Sequence, residues 1–270
     1  MAVVTGGGSG IGAYIAHELG QLGANVVIAS RKKERIESAA AGLSKALGRE
    51  ALGRVCDIRD RDSTTALVEQ TLARFGRLDI LVNNGGGQFL APAEFIRPKG
   101  WDAVIHTNLT GTWNLTRAAA DQWMLKNGGR IMNITMMTRR GFPGMAHSVS
   151  ARAGVEAMTR TLAIEWATYG ILINSIQPGV VASNGLNNYP NGVEMGRTTQ
   201  KNIPLKRLGS CNDIAWMCAF LASPAGSFIT GQTFAVDGGQ QLWGESWPIN
   251  DPDPLPTVTV EPIPWEIDEA

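Results

Sequence analysis

The sequence predicts one α/β domain, a doubly wound parallel sheet of seven strands with helices on both faces, and three observations carry that expectation. Short apolar runs alternate with helical patterns from the first residue onward, the mark of repeated β-α-β units. The runs show little polar alternation, as strands buried on both faces should. A glycine-rich turn, Thr5-Gly6-Gly7-Gly8-Ser9-Gly10-Ile11-Gly12, follows the first run and opens a helical pattern, which places ligand chemistry at the carboxyl ends of the strands.

The expected strands are Ala2-Val3-Val4, Asn25 to Ala29, Arg54-Val55-Cys56, Leu78 to Val82, Arg130 to Ile134, Ile171 to Ile176 and Phe234-Ala235-Val236. Between them Ile11, Ile15, Leu19 and Leu22, then Leu67, Leu72 and Phe75, recur at helical spacing. Little chain precedes the first strand, so its amino end is expected to fray. With 270 residues and 44% hydrophobic content, the chain can bury one large sheet and falls short of two comfortable cores. The texture changes after residue 242. Pro248, Pro252, Pro254, Pro256, Pro262 and Pro264 interrupt an acidic segment carrying Trp247 and Trp265, which excludes helix. The expected division is a nucleotide-binding domain over 1–242, with a substrate lid at about 183–206, and an arm over 243–270. That arm is read either as lying on its own or a neighbouring subunit, or as a disordered tail.

Charge and cysteine content narrow the function. The net formal charge is zero, but seven acids and no Lys or Arg occupy the last thirty residues, leaving the body with seven more bases than acids. A mildly basic body suits anionic nucleotides and acyl carriers. The longest basic run is Arg31-Lys32-Lys33, which argues against nucleic acid as a partner. Cys56, Cys211 and Cys218 have neither disulfide-framework nor metal-site spacing, and no apolar run reaches membrane-spanning length. A reduced, cytoplasmic protein without metal or membrane association is expected, and the end Ile267-Asp268-Glu269-Ala270 is not a peroxisomal address.

The glycine turn has a physical purpose. Gly6 makes the tight turn, Gly10 admits a pyrophosphate close to the backbone, and Gly12 lets helix and strand pack, while N–H groups at the helix start face the phosphates. This is the Rossmann-type arrangement. Some twenty residues on, where an NAD-selective site offers an acid to the ribose, the second strand ends Ser30-Arg31-Lys32. A hydroxyl and two cations suit a 2′-phosphate instead, so NADP(H) is the expected cofactor.

The glycine turn, Asn83-Asn84-Gly85-Gly86 and Asn108 in Thr107-Asn108-Leu109-Thr110-Gly111 together resemble the short-chain dehydrogenase/reductase family, over most of residues 1 to 240. The resemblance implies cofactor contacts from Gly6, Gly8, Ser9, Gly10, Ile11, Gly12, Asp57, Ile58, Asn83, Gly85, Asn108, Pro178, Gly179, Val181 and Ser183. It also implies a homotetramer built on long helices near residues 101–125 and 148–168. That family carries Tyr-x-x-x-Lys before Ala-Gly-Val. In His147-Ser148-Val149-Ser150-Ala151-Arg152-Ala153-Gly154-Val155 the tyrosine position holds Ser148 and the lysine position Arg152.

That departure decides the expected chemistry. Reducing a ketone creates an alkoxide that must be protonated, and losing the general acid costs about 10²–10⁴-fold. Reducing a C=C bond conjugated to a thioester develops an enolate, which needs oriented donors more than a strong acid. Asn108, Thr135, Ser148, Arg152 and His147 are the candidate catalytic residues, with Arg152 also expected to reach the nicotinamide ribose. Each has a plainer reading: a helix-kink amide for Asn108, strand-end packing for Thr135, loop packing for His147. Tyr189 in the lid is a weaker acid candidate, and Tyr14 and Tyr169 fall on distant helices. Arg139-Arg140 reads as an anion clamp at the pocket rim or a solvated pair, and Met132, Met136, Met137 and Met145 as an acyl surround or core filling.

Stretches such as Asn83-Asn84-Gly85-Gly86-Gly87-Gln88-Phe89-Leu90 look like peroxisomal trans-2-enoyl-CoA reductase, and Ala153-Gly154-Val155-Glu156-Ala157-Met158 looks like 2,4-dienoyl-CoA reductase. Both relatives also lack the tyrosine. The first reading is therefore an NADPH-dependent reductase of an enoyl thioester, an acyl-CoA among them, or an enone. A carbonyl or imine reductase, a non-redox cyclase or isomerase that keeps NADP, and a silent binding subunit stand as alternatives.

Overall fold

The strands are β1 (Ala2–Thr5), β2 (Val26–Ser30), β3 (Ala51–Val55), β4 (Ile80–Asn83), β5 (Gly129–Ile134), β6 (Ile171–Pro178) and β7 (Thr233–Val236). In this computed structural model, which describes residues 1–183, 186, 191–244, 247–258, 260–263 and 265, they form one parallel sheet in the order β3-β2-β1-β4-β5-β6-β7. The register pairs Val4 with Ile28 on one side and with Val82 on the other. Chain direction through the sheet reverses between β1 and β4, and the crevice that opens there is where such sheets bind ligands.

Alternation along each strand sends side chains to two separate cores. Val4 and Ile28 pack with Ile15, Ile36 and Ile214 from the helices α1 (Gly10–Gln21), α2 (Lys33–Leu47) and α9 (Cys211–Ala222). Val3 and Leu81 pack on the opposite face with Leu67, Leu115 and Leu162 from α3 (Arg61–Phe75), α5 (Gly111–Ala119) and α7 (Ala146–Glu165). Each enclosed aliphatic side chain contributes about 1.5–3 kcal/mol, and Leu81→Ala, emptying a fully buried site, would cost about 2–5 kcal/mol. Local signals set the helix ends. The Asp60 side chain caps the Asp62 amide at the start of α3, left-handed Gly48 and Gly76 stop α2 and α3, and Ser210 with Asp213 forms a capping box on α9.

The long helix expected near 101–125 is interrupted twice. It runs as α4 (Pro98–Ile105), a π turn (His106–Thr110), α5, a second π turn (Ala120–Met124) and the short α6 (Leu125–Asn127). The first π turn contains Asn108, where an inserted residue re-aims side chains toward the crevice. After β6 the chain bridges Val181 to Gly209, forms α8 (Gly192–Lys201) and returns to the sheet through α9. Part of the expected lid, Tyr189 included, lies outside the described residues.

Two expectations need correcting. The first strand does not fray at its amino end, because the Met1 carbonyl accepts the amides of Asp79 and Ile80. The third strand covers 51–55, not 54–56: it is an edge strand whose mostly half-exposed residues give no continuous apolar run, while all five pair with β2. Of the readings left open for the arm, its described part follows the one in which it lies on its own chain. Ile263 is 1% exposed in the α1, α2 and α9 core, with Trp265 packed against it. A Cβ at Gly42 would sit only 2.3 Å from Trp265 Cβ.

Candidate active site

The carboxyl ends of β1, β2, β3 and β4 enclose a cleft walled by Gly6, Ser30, Arg31, Asp57, Ile58 and Gly85. Gly12 is required by contact: a Cβ there would lie 2.3 Å from the Gly6 carbonyl and 2.5 Å from Asn84 Nδ2. Asn84 locks the turn, donating to the Thr5 carbonyl at 2.9 Å, while Thr5 Oγ1 accepts the Asn84 and Gly85 amides. The side chain of Ser9, the N-cap of α1, makes no capping hydrogen bond, and no acid lies in the first turn. Gly8 lies against α2, Ile11 packs on the core, and Ser183 comes within 3.9 Å of the Cβ position at Gly10, so the segment after β6 overhangs the turn.

The cleft fits a phosphorylated nucleotide. Among the described residues, Ser30 Oγ is buried without a partner, Arg31 stands beside it in the wall, and neither is joined there by an acid at the end of β2. Lys32 is exposed at the α2 N-cap and outside the wall. Asp57 sits in the wall, but its carboxylate takes two donors from Arg59, at 2.9 Å from Nε and 2.5 Å from Nη2. The Arg59 hydrogen bonds hold that carboxyl well below its usual range, at about 2. Asn83 turns away from the cleft, donating to Thr116 Oγ1 at 2.9 Å and Asn133 Oδ1 at 2.8 Å inside the fold. Its side chain is structural, and Asn84 is the asparagine that serves the turn.

On α7, Ser148 and Arg152 stand one turn apart on the same face. The Arg152 guanidinium is buried, and its Nη1 donates to the Ile134 carbonyl at 2.7 Å. Burial pushes its pKa down to about 10, which leaves it charged at neutral pH. No salt bridge to it is found among the described residues. Gly86 admits it: a Cβ there would lie 2.1 Å from Arg152 Nη2 and 2.8 Å from Asn108 Oδ1. Asn108 itself grips the backbone of Gly87, with Oδ1 accepting the amide at 2.9 Å and Nδ2 donating to the carbonyl at 3.0 Å. Its amide is thus the positioning group for the loop that follows β4.

That loop covers the other candidates. Ser148 is fully buried, and its hydroxyl donates to Gln88 Oε1 at 2.7 Å. His147 is also fully buried, edge-on to the Phe89 ring at 4.3 Å between centroids. Its Nε2 has no partner, and desolvation pushes its pKa down. Thr135 gives its hydroxyl proton to the Ile176 carbonyl at 3.2 Å. Thr135 is thus tied to the end of β6 and His147 packs on Phe89, while Ser148 is oriented by Gln88, which is exposed. Gln88 was not singled out in the sequence because a glutamine after three glycines carries no pattern of its own.

A second cluster also escaped the sequence. Glu156, buried on α7, accepts Thr138 Oγ1 at both oxygens and Gln177 Nε2 at 2.6 Å, and Gln241 donates to Gln177 Oε1 at 3.1 Å. It ties together the carboxyl ends of β5, β6 and β7. Pro178 closes β6 against Val236, and Gly179 approaches Asp237 too closely for a side chain. Of the rim arginines, both are exposed, and Arg140 donates to the Trp243 carbonyl. Met132, Met136, Met137 and Met145 are all buried, as is Tyr14 on α1, while exposed Tyr169 follows α7.

Residues 6–241 match a family described as Enoyl-(Acyl carrier protein) reductase. The chain belongs to the short-chain dehydrogenase/reductase family. It is 38% identical over 244 residues to peroxisomal 2,4-dienoyl-CoA reductase of Danio rerio, covering 90% of this chain and 81% of the relative. It is likewise 38% identical over 245 residues to a probable 2,4-dienoyl-CoA reductase of Bacillus subtilis, covering 89% and 96%. A short chain dehydrogenase structure from Bacillus anthracis superposes with a TM-score of 0.84 at 37% identity, covering 92% of this chain and 98% of that one. As a member of this family, the protein is an oxidoreductase using a nicotinamide cofactor. Among the described residues no helix is long and apolar enough to cross a membrane, and no cluster of metal-binding side chains occurs.

Proposed function

We propose that this reductase uses NADPH to reduce a C=C bond conjugated to a carbonyl, with an enoyl-CoA thioester as its substrate. The observation that carries the reading is Arg152. Among the described residues its buried guanidinium has one backbone carbonyl as hydrogen-bond partner, at the position that the sequence resemblance assigns to the family's lysine, and Ser148, one turn before it, points its proton at Gln88. The site therefore presents N–H donors to a developing oxyanion and no phenol to protonate an alkoxide.

The bound nicotinamide would supply hydride to the β-carbon of the substrate. Arg152 is proposed to serve both the ribose hydroxyls and the negative charge that gathers on the thioester oxygen, with Gln88 beside it. Each such donor is worth about 10²–10³ in turnover. Asn108 keeps the Gly86-Gly87 backbone low enough for the guanidinium to reach this point. The α-carbon takes its proton from water. The lone Ser30 hydroxyl and Arg31 support NADPH over NADH, holding the 2′-phosphate through charge-assisted bonds. Residues 1–242 are proposed to be the catalytic unit and 243–270 its arm. A tetramer would cover the exposed Ile164, Trp216, Phe220 and Phe228, and light scattering of the purified protein would give its mass.

Loss of reduced-cofactor absorbance with trans-2-enoyl-CoAs, cyclic enones, ketones and imines tests the function. Turnover confined to conjugated alkenes is the expected result. Turnover of ketones alone, or tight NADPH binding with no oxidation by any of them, would overturn it.

A further inference from the structure

The arm lies outside the region matched to the family, which ends at residue 241, yet it reaches back to the substrate side of the sheet. Its contact point is Lys206. That residue is 4% exposed and its backbone is left-handed, with φ of 55°, an uncommon conformation for a side chain of this size that the surroundings must hold in place. Its ammonium has three partners. Nζ donates to the Lys201 carbonyl at 2.8 Å, pairs with Asp251 Oδ1 at 2.8 Å, and lies 4.9 Å from the centroid of the Trp243 ring. Two of the three belong to the arm. A second tie sits alongside: Gln200 Nε2 donates to the Lys206 carbonyl at 2.9 Å and to the Pro256 carbonyl of the arm at 3.3 Å.

The segment so gripped is α8 with the residues that follow it to 206. It stands over the carboxyl ends of β6 and β7: the Leu205 amide donates to the Gly238 carbonyl at 3.3 Å, and a Cβ at Gly238 would touch Ile203 at 2.7 Å. Arg140, on the loop after β5, donates to the Trp243 carbonyl, so the same arm residue also reaches the opposite rim. The far end of the arm is anchored by Ile263 in the α1, α2 and α9 core. An arm fixed at one end and paired at the other transmits position, and a buried ammonium left without its carboxylate is strongly destabilised where it stands.

We infer that Asp251 is a positioning residue for the acyl substrate, fixing α8 over the ends of β6 and β7 through its ion pair with Lys206. Asp251 is not in the wall of the nucleotide cleft and acts through Lys206, with Lys201 of α8 adding to the attraction. The assignment of the substrate as acyl rests on the function proposed above, whereas the mechanical link between arm and α8 does not.

The test compares wild type with Asp251→Asn and Asp251→Glu in the full-length chain. The Asp251 side chain is 47% exposed, so either variant keeps the core. Amide hydrogen exchange, measured without substrate, should accelerate about tenfold over residues 192–206 in D251N, stay unchanged in α9 and β1, and return most of the way in D251E. With a long-chain trans-2-enoyl-CoA, KM should rise about 5–10-fold in D251N with kcat and NADPH affinity held, the signature of lost uniform binding. Unchanged exchange over 192–206, or acceleration spread equally through α9 and β1, overturns the inference. So does equal loss of kcat and NADPH binding. If no enoyl-CoA is turned over by wild type, the proposed function has failed, and the exchange measurement alone still decides whether Asp251 holds α8.

Discussion

Arg152 and Lys206 are both buried cations at the carboxyl side of the same sheet, and they are treated in opposite ways. Lys206 is answered within the chain by a carboxylate, a carbonyl and an indole face. Among the described residues Arg152 has one backbone carbonyl as partner, and burial lowers its pKa to about 10. Taking a charge out of water costs several kcal/mol unless it is compensated. A cation compensated from inside is architecture, while one left with a carbonyl is positioned for an anion that the chain itself does not supply. The sharpest way to break the comparison is to remove each charge. Arg152→Met should lower kcat by about 10²–10³-fold, with Arg152→Lys recovering part of the loss, whereas Lys206→Met should act on KM. Steady-state kinetics on the two variants checks this, and equal effects on kcat would dissolve the distinction.

Arg31 is a third cation, on the wall of the nucleotide cleft beside the unpartnered Ser30 hydroxyl. It is expected to behave like Arg152 on a smaller scale, because solvent reaches it. Arg31→Ala should raise the NADPH dissociation constant by about 10–100-fold, the worth of a charge-assisted bond, and leave NADH binding unchanged. Fluorescence titration with both cofactors separates the two. A parallel weakening of NADH would show that Arg31 serves the adenosine rather than the 2′-phosphate.

The glycine turn was legible in the sequence for a physical reason. Gly6, Gly10 and Gly12 shape the backbone there, and the roles proposed for Ser30 and Arg31 rest on a hydroxyl and a charge at a strand end, all of them local properties. The catalytic half depends on pairings across long separations. Nothing near Ser148 announces that Gln88, sixty positions earlier, takes its proton, nor that the Asn108 amide is spent on Gly87. The resemblance places Asn83 at the cofactor, and the sequence alone does not separate its side chain from that of Asn84, because the two are adjacent and identical. Only the strand pleat decides that Asn83 enters the Thr116 and Asn133 chain while Asn84 meets the glycine turn. The arm was legible in composition alone, since its proline spacing excludes a helix but its docking site depends on Gly42, more than two hundred residues away in sequence.

Glu156 supplies the converse case, a buried carboxylate with no ion-pair partner among the described residues. Thr138 and Gln177 satisfy it by hydrogen bonds alone. Glu156→Gln removes the charge that strengthens these bonds and replaces one accepting oxygen with an N–H donor, which Thr138 can answer only by turning its hydroxyl from donor to acceptor, so the variant should lose about 1–3 kcal/mol of stability. Urea unfolding with the midpoint and slope both reported measures it. A change within experimental scatter would mean that the network rearranges, and that the ends of β5, β6 and β7 are held by backbone pairing instead.

The smallest effect is expected where an ion pair is short but wet. Asp57 and Arg59 are joined by near-ideal hydrogen bonds, yet their side chains are 32% and 39% exposed. Exposed pairs of this kind contribute up to about 1 kcal/mol, so Arg59→Ala should shift stability by no more than that. The folded pKa of Asp57, about 2, lies below its ordinary value of 3.8, so the carboxylate binds protons less readily in the folded chain. Its contribution is complete above the ordinary value and disappears as pH falls toward the folded one. The stability difference between wild type and Arg59→Ala should therefore be present at neutral pH and shrink as the solution is acidified through that interval. A difference that grows on acidification would reverse the sign and show that the Arg59 side chain acts on the fold through something other than Asp57.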